Sequence, residues 1–442
     1  MSGAATLDWL ARPAQALRGR VRVPGDKSIS HRAMMLGSLA EGVTRVRGFL
    51  EGEDTLATAA AFRTMGVRID AAGAGERVVH GVGLGGLQAP RGPIDCGNAG
   101  TGMRLLAGVL AAQPFPSILV GDDSLSRRPM RRVLDPLARM GARIDASAAG
   151  TAPLRIAPAT GGLHGIDYES PVASAQVKSC VLLAGLRAAG RTRVAEPHPT
   201  RDHTERMLEA FGWPVERDGR WTGVRGGARL RACDIEVPAD FSSAAFFLVA
   251  ASIVPGSELV LERVGLNPLR TGLLHALRLM GADIEVQAQG MAGGEPIGDL
   301  RVRHAPLRGI EVPVELVPDM IDEFPALFAA AACATGPTTV RGAAELRVKE
   351  SDRIAVMAAG LRGLGVPVRE HDDGATIDPA PVRAGAVASA GDHRCAMSFA
   401  VLAAAGTGVV RIGDCANVAT SFPGFVELAT AAGMELAAAP RD

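Results

Sequence analysis

Eight short clusters in this chain mix cations, hydroxyls, amides and glycine in ways suited to holding anions. In chain order they are Pro24-Gly25-Asp26-Lys27-Ser28-Ile29-Ser30-His31-Arg32, Gly97-Asn98-Ala99-Gly100-Thr101-Gly102-Met103-Arg104, Ser126-Arg127-Arg128-Pro129-Met130, Ser174-Ala175-Gln176-Val177-Lys178, Thr200-Arg201-Asp202-His203, Asp319-Met320-Ile321-Asp322-Glu323, Arg347-Val348-Lys349-Glu350-Ser351-Asp352-Arg353 and Asp392-His393-Arg394. Several open an Ala/Leu-rich run that reads as a helix. A helix N-terminus presents unpaired N–H groups and a partial positive charge, so a polar start decorated with Arg or Lys attracts an anion. Any one such start is more simply a cap; the clusters taken together point to a multiply anionic ligand.

Composition sets the frame for these clusters. The chain of 442 residues is too long for one compact core, so two or three lobes are expected. Lys+Arg and Asp+Glu both number 47, and this balance argues against a nucleic-acid or membrane-surface partner. Only Lys27, Lys178 and Lys349 among the 47 basic residues are lysines; with 44 arginines elsewhere, the three that remain call for an explanation. The most apolar stretch, around Ala244–Gly256, is too short to span a bilayer and runs into Pro255-Gly256. The N-terminus carries no secretory pattern, so a cytoplasmic protein is expected. The six cysteines are scattered without CxxC or Cys/His clustering, and no carboxylates have metal-site spacing. Neither disulfide, metal nor cofactor is expected.

Six segments share one plan: a polar start, an Ala/Leu-rich helix, a connection, an amphipathic helix and a glycine followed by a β-like tail. The starts are Ser28, Asn98, Ser174, Ser242, Asp322 and Asp392, each at or near the N-terminus of a helical run, as N-capping favours; the endings are Gly66, Gly141, Gly212, Gly281, Gly365 and Gly433. Each unit spans roughly 40 residues from start to glycine, and the starts recur about every 70 to 80 residues, a period that marks repeated architecture. Tails such as Val67-Arg68-Ile69, Ala142-Arg143-Ile144 and Ala282-Asp283-Ile284 alternate as half-buried strands do. Six α/β units therefore divide into two lobes: residues 21–240, and residues 1–20 with 241–442, with hinges near 20–22 and 238–241.

In wording and order the eight clusters closely resemble the 5-enolpyruvylshikimate-3-phosphate synthase family, over essentially the whole chain from Val23 to Ser421-Phe422-Pro423. The resemblance implies an inside-out α/β fold of two domains with three repeats each. It also implies transfer of the enolpyruvyl group of phosphoenolpyruvate to the 5-hydroxyl of shikimate 3-phosphate, by addition and then elimination of phosphate, in aromatic amino acid (chorismate) biosynthesis. By residue, it places shikimate 3-phosphate on Lys27, Ser28, Arg32, Ser174, Ala175, Gln176, Arg201, Asp322 and Lys349. Phosphoenolpyruvate falls to Lys27, Gly100, Arg128, Gln176, Arg353 and Arg394. Glu350 becomes the proton donor to carbon, and Asp322, helped by Lys27, the acceptor of the hydroxyl proton. The resemblance further implies a monomer and sensitivity to glyphosate, which occupies the phosphoenolpyruvate site in this family.

The chemistry and the residue types agree. Both substrates carry a phosphate and a carboxylate, which call for several cations, preferably Arg forks. Glycine at position 100 permits close approach of a small substrate. Glu350 lies three residues before Arg353, so on a helical turn the two would share a face. Some family members have a Lys where this chain has Thr420; the wording Leu50-Glu51-Gly52-Glu53-Asp54 and Ser174-Ala175-Gln176-Val177-Lys178 resembles a bacterial subgroup that also lacks it. Lys178, His31 and His393 are read as structural, with a solvated role open for Lys178, and Arg131-Arg132 as a solvated helix face. Gly81-Val82-Gly83-Leu84-Gly85-Gly86 matches GxGxxG, but Pro90 and Pro93 follow where a Rossmann helix should start, so it is a turn. Two alternatives stand beside this reading. One is a UDP-N-acetylglucosamine enolpyruvyl transferase, whose loop cysteine has no counterpart in Ser124–Pro129 here. The other is a non-catalytic anion-binding protein.

Overall fold

The computed structural model describes residues 7–440. Twelve α-helices lie among them: α1 Lys27–Leu39, α2 Glu53–Thr64, α3 Gly100–Ala111, α4 Arg131–Arg139, α5 Ala175–Gly185, α6 His203–Ala210, α7 Phe241–Ile253, α8 Gly272–Leu279, α9 Phe324–Ala332, α10 Arg353–Gly363, α11 His393–Ala404 and α12 Phe425–Ala431. They alternate with six sheets of three or four strands. The chain forms two compact units: Gly25–Pro238 together with Met291–Glu295, and the residues up to Pro24 together with Ala239–Gly290 and those from Pro296 onward. The first boundary falls at Pro24/Gly25 and not at residues 20–22, because Arg18–Val21 pairs in parallel with Glu258–Leu261 and keeps the chain in its unit. At the crossings Asp26 N donates to Pro238 O at 2.8 Å within one unit, and Asp240 N to Pro24 O at 2.9 Å within the other.

In the Gly25–Pro238 unit, α1, α3 and α5 are buried almost throughout, whereas α2, α4 and α6 bury one face. The inner helices are rich in Ala, Gly, Leu and Val on every side, and a helix apolar all round has to be covered all round. Three sheets supply part of that cover. In each, a short strand at the end of one repeat pairs in parallel with the first strand of another: Ile94–Asp95 with Ser117–Val120, Asp167–Glu169 with Arg191–Ala195, and Ile235–Glu236 back with Glu41–Arg47. The third pairing closes the ring of three repeats. The other unit repeats the plan around α7, α9 and α11, and every residue of α7 is buried. Its sheets borrow their missing strands from the start of the chain: Leu7–Arg12 lies between Val410–Gly413 and Glu435–Pro440.

The six repeat glycines all have positive φ, from 77° at Gly212 to 107° at Gly433, as helix-ending residues require. The six starts all lie at or near helix N-termini, as expected, but only two of them are the capping residues. Ser174 and Asp392 do cap α5 and α11, but α1 is capped by Asp26 and α7 by Asp240, two residues ahead of Ser28 and Ser242. In both cases an Asp in extended backbone offers a short carboxylate to the first turn. Asn98 and Asp322 also stand outside their helices, which begin at Gly100 and Phe324. Four polar side chains are thereby released from capping.

Close packing of the inner helices depends on small residues. A Cβ built on Gly108 of α3 would lie 2.3 Å from the backbone oxygen of Cys180 on α5. Helix propensity alone would favour alanine there by about 1 kcal/mol, but the clash is with backbone and cannot be relieved by a rotamer change. Gly108→Ala is therefore expected to lower stability, by about 1 to 3 kcal/mol. A denaturation midpoint equal to or above that of the parent would show that α3 and α5 are not held at this distance.

Candidate active site

The sequence-predicted residues fall into two groups, one on each unit. In the Gly25–Pro238 unit three of them are first residues of inner helices: Lys27 of α1, Gly100 of α3 and Ala175 of α5. Lys27 Nζ pairs with Asp54 Oδ2 at 3.1 Å. Ser28 offers its carbonyl to Arg32 Nη1 at 2.9 Å, while Arg32 Nε donates to Thr204 Oγ1 and Nη2 to Ser179 Oγ at 2.6 and 2.8 Å. Arg32 is buried, and burial lowers its pKa to about 10, with Glu205 opposing and Arg201 assisting. It remains a cation at neutral pH. Arg201 follows buried Thr200.

Gln176 is fixed at both ends of its amide. Nε2 donates to Thr101 Oγ1 at 2.9 Å, and Oε1 accepts from Arg104 Nη1 at 2.7 Å and from Arg132 Nη2 at 3.5 Å. Arg128 donates to both the side-chain and the backbone oxygen of Asn98. Asn98, released from capping, thus orients a cation. A Cβ on Gly100 would come within 2.9 Å of Arg128 Nη1 and 3.2 Å of Arg104 Nη1. The sequence gives Arg104 no role beyond its place in a cluster and gives Arg132 the look of a solvated helix face. Arg131 is exposed as expected, but Arg132 is turned onto Gln176.

On the other unit Arg353 is the centre. It is 1 % exposed, and its guanidinium meets Glu350 Oε2 at 2.6 Å, Asp392 Oδ2 at 2.8 Å and Asp322 Oδ1 at 3.6 Å. Burial opposes its charge, but the pull of Asp392, Glu350 and Asp322 is stronger and raises its pKa. Glu350 and Arg353 do not share a helical turn: α10 starts at Arg353 behind the cap Asp352, and Glu350 reaches the arginine from the preceding loop. Lys349 Nζ lies 3.4 Å from Asp322 Oδ1 and 3.1 Å from Glu345 Oε1. Arg394 Nη1 donates to the Asp322 carbonyl at 3.1 Å and lies 3.6 Å from Glu323 Oε1.

Behind this group Glu323 is buried and accepts from Ser242 Oγ, which also accepts from Arg270 Nη2 at 2.9 Å. Burial raises the pKa of Glu323, with Arg270 and Arg394 opposing. Glu323 stands in the Asp319–Glu323 cluster with no role assigned to it, and nothing in the sequence marks Arg270, since their roles arise only where the starts of α7 and α9 adjoin. Thr420, the residue in place of a family Lys, is buried and donates to Asn417 O at 2.7 Å. Lys178 is buried and ion-paired, not solvated. Among the described residues no group of His, Cys, Asp and Glu could hold a metal, and no helix is long and apolar enough to cross a membrane.

The model of the EPSP synthase (3-phosphoshikimate 1-carboxyvinyltransferase) family matches residues 11–428. Proteins named 3-phosphoshikimate 1-carboxyvinyltransferase from Xanthomonas campestris pv. campestris (strain B100) and Xanthomonas oryzae pv. oryzae (strain PXO99A) are 63% and 64% identical, over 98% of this chain and 99% and 98% of theirs. The structure of EPSP synthase from Acinetobacter baumannii superposes with a TM-score of 0.87 at 51% identity, covering 98% of this chain and all of that one. The enolpyruvyl transferase NikO from Streptomyces tendae shares the fold, with a TM-score of 0.80 at 18% identity over 99% of this chain.

His31, buried on α1 with Nδ1 2.8 Å from Thr58 Oγ1, gives the site a pH signature. Burial, then the charges of Lys27 and Arg32, hold its pKa well below 6.5. The unfolded chain takes up a proton near pH 6.5 that the folded chain refuses. Stability should thus fall as pH drops below 6.5, by about 1.4 kcal/mol per pH unit from this group. His31→Gln is expected to reduce the slope of unfolding free energy against pH by about one proton between pH 6 and pH 5. Urea titrations at a series of pH values measure it; an unchanged slope would mean that His31 is protonated in the fold.

Proposed function

The chain belongs to the EPSP synthase family, and from that premise we propose which of its side chains carry the reaction. It transfers the enolpyruvyl group of phosphoenolpyruvate to the 5-hydroxyl of shikimate 3-phosphate and releases phosphate, the shikimate-pathway step toward aromatic amino acids. The UDP-N-acetylglucosamine enolpyruvyl transferase reading is not favoured. The bond broken is C–O, so the protein has to move protons and hold charge, and needs no chemistry at phosphorus.

Lys27, Ser28, Arg32, Ser174, Ala175, Gln176, Arg201, Asp322 and Lys349 serve shikimate 3-phosphate; Lys27, Gly100, Arg128, Gln176, Arg353 and Arg394 serve phosphoenolpyruvate. Arg forks suit carboxylate and phosphate because two N–H groups meet two oxygens at once. Asp322, assisted by Lys27, takes the proton of the attacking hydroxyl. Glu350 delivers a proton to the methylene carbon, giving a tetrahedral adduct, and loss of phosphate with return of a proton from that carbon restores the double bond. The observation that carries these roles is that Asp322 and Glu350 share Arg353. An arriving anion competes with Glu350 for that cation, and a weakened ion pair favours the protonated carboxyl that must give a proton to carbon. Asp322, with the Lys349 ammonium 3.4 Å away as well, is the carboxylate assigned as the base. The enzyme works as a monomer in the cytoplasm, and sedimentation at the mass of one chain would accord with the first of these.

Phosphate release from phosphoenolpyruvate should require shikimate 3-phosphate and fail with UDP-N-acetylglucosamine; release only with the latter would overturn the reading. Glu350→Gln and Asp322→Ala should each lower kcat by about 10²-fold or more while changing substrate KM far less, and near-normal turnover in either would remove its assigned role. Gly100→Ala, whose methyl would crowd Arg128 and Arg104, should fold normally and weaken inhibition by glyphosate about tenfold or more, a loss of one decade in affinity. Equal inhibition constants would separate Gly100 from the phosphoenolpyruvate position.

A further inference from the structure

Lys178 sits on α5, one turn beyond the cap Ser174, and is 4 % exposed. Its ammonium donates to Glu196 Oε2 and Glu205 Oε1, both at 2.9 Å, and to Thr200 O at 3.0 Å. One nitrogen thus directs its three N–H groups at three oxygens. A guanidinium spreads its donors over a wide plane and cannot converge them this way. In a chain that uses arginine for all but three of its basic residues, this geometry accounts for a lysine here. Burial opposes the charge, but Glu205 and Glu196 outweigh it and hold the pKa above the ordinary value.

What the ammonium fixes is a junction. Glu196 Oε1 accepts from Ser174 N at 2.9 Å and from Thr200 Oγ1 at 2.7 Å, so one carboxylate ties the start of α5 to the segment that carries Arg201. Ser174, Ala175 and Arg201 are the shikimate 3-phosphate positions proposed above. Glu205 Oε2 is buried with no hydrogen-bond partner, and its charge acts on Arg32. Without Lys178, two buried carboxylates would be left uncompensated beside positions proposed for shikimate 3-phosphate, which costs stability and repels an anionic ligand.

We propose that Lys178 is a positioning residue for shikimate 3-phosphate: by clamping Glu196, Glu205 and the Thr200 carbonyl it sets Ser174 and Arg201, two of the positions proposed for that substrate, and cancels the charge of the two buried carboxylates. The proposal rests on the enolpyruvyl transferase reading, and its test separates the two. Phosphate release by the parent enzyme, dependent on shikimate 3-phosphate, is measured first; its absence sinks the reading itself. In Lys178→Met the KM for shikimate 3-phosphate should rise by roughly tenfold or more, since misplaced binding groups carry penalties of that order or larger. The KM for phosphoenolpyruvate and kcat at saturation should move less than about threefold, within ordinary context effects. Because Lys178→Met leaves two buried carboxylates uncompensated, Lys178→Met/Glu205→Gln is made beside it to restore folding. The double variant should keep the raised KM, as Glu196 is still unclamped. Lys178→Arg should not rescue it. A folded double variant with parental KM for shikimate 3-phosphate, equal loss toward both substrates, or full rescue by arginine would each overturn the proposal.

Discussion

Arg353 is buried and still meets three carboxylates, those of Glu350, Asp392 and Asp322. Removing a guanidinium from water costs several kcal/mol, so it is stable there only with close partners on several sides. Each partner then has a second duty. Asp392 caps α11 through Arg394 N and accepts from Ser351 Oγ. Asp322 lies by Lys349, and its carbonyl holds Arg394. Glu350 is brought in from the loop before α10. The positions of three helix starts and the proposed acid and base are therefore set by one cation.

The Gly25–Pro238 unit reaches a similar result by other means. Arg32 is held there by hydroxyls and a carbonyl, Arg128 in part by the amide and backbone oxygens of Asn98, and Lys27 by Asp54. A guanidinium tied to neutral oxygens keeps more of its field for a ligand than one already paired with carboxylates. Carboxylates do occur there, yet Glu196 and Glu205 are occupied by Lys178. A chain of zero net charge thus still gathers Lys27 and Arg32 on α1 and Arg104 on α3, with Arg128 close to Gly100 at the start of α3. α3 and α5 can lie so close because Gly108 lets the two helices touch backbone to backbone at Cys180.

Much of this was legible beforehand. The repeat glycines marked six helix ends because only a residue without Cβ takes positive φ cheaply, and each of the six does so. Capping was harder to assign: Ser28 and Asp26 are both good caps, and choosing between them depends on backbone direction two residues upstream, which has no local signature. Arg132 and Arg131 look alike on a helix of mixed charge, and only the placement of α5 turns one of them onto Gln176.

The chain's wording by itself determined the six-unit plan, the absence of a metal motif and the residues that resemble a known transferase, since these depend on residue type and order. Tertiary structure alone decided which polar groups meet. Asp322 and Arg353, or Ser174 and Glu196, are distant in sequence, and their pairing follows from how buried helices stack. Lys178 shows the division well. Its rarity could be counted from the composition, but the reason for it is a point in space where three oxygens of the segment from Glu196 to Glu205 converge on one nitrogen of α5.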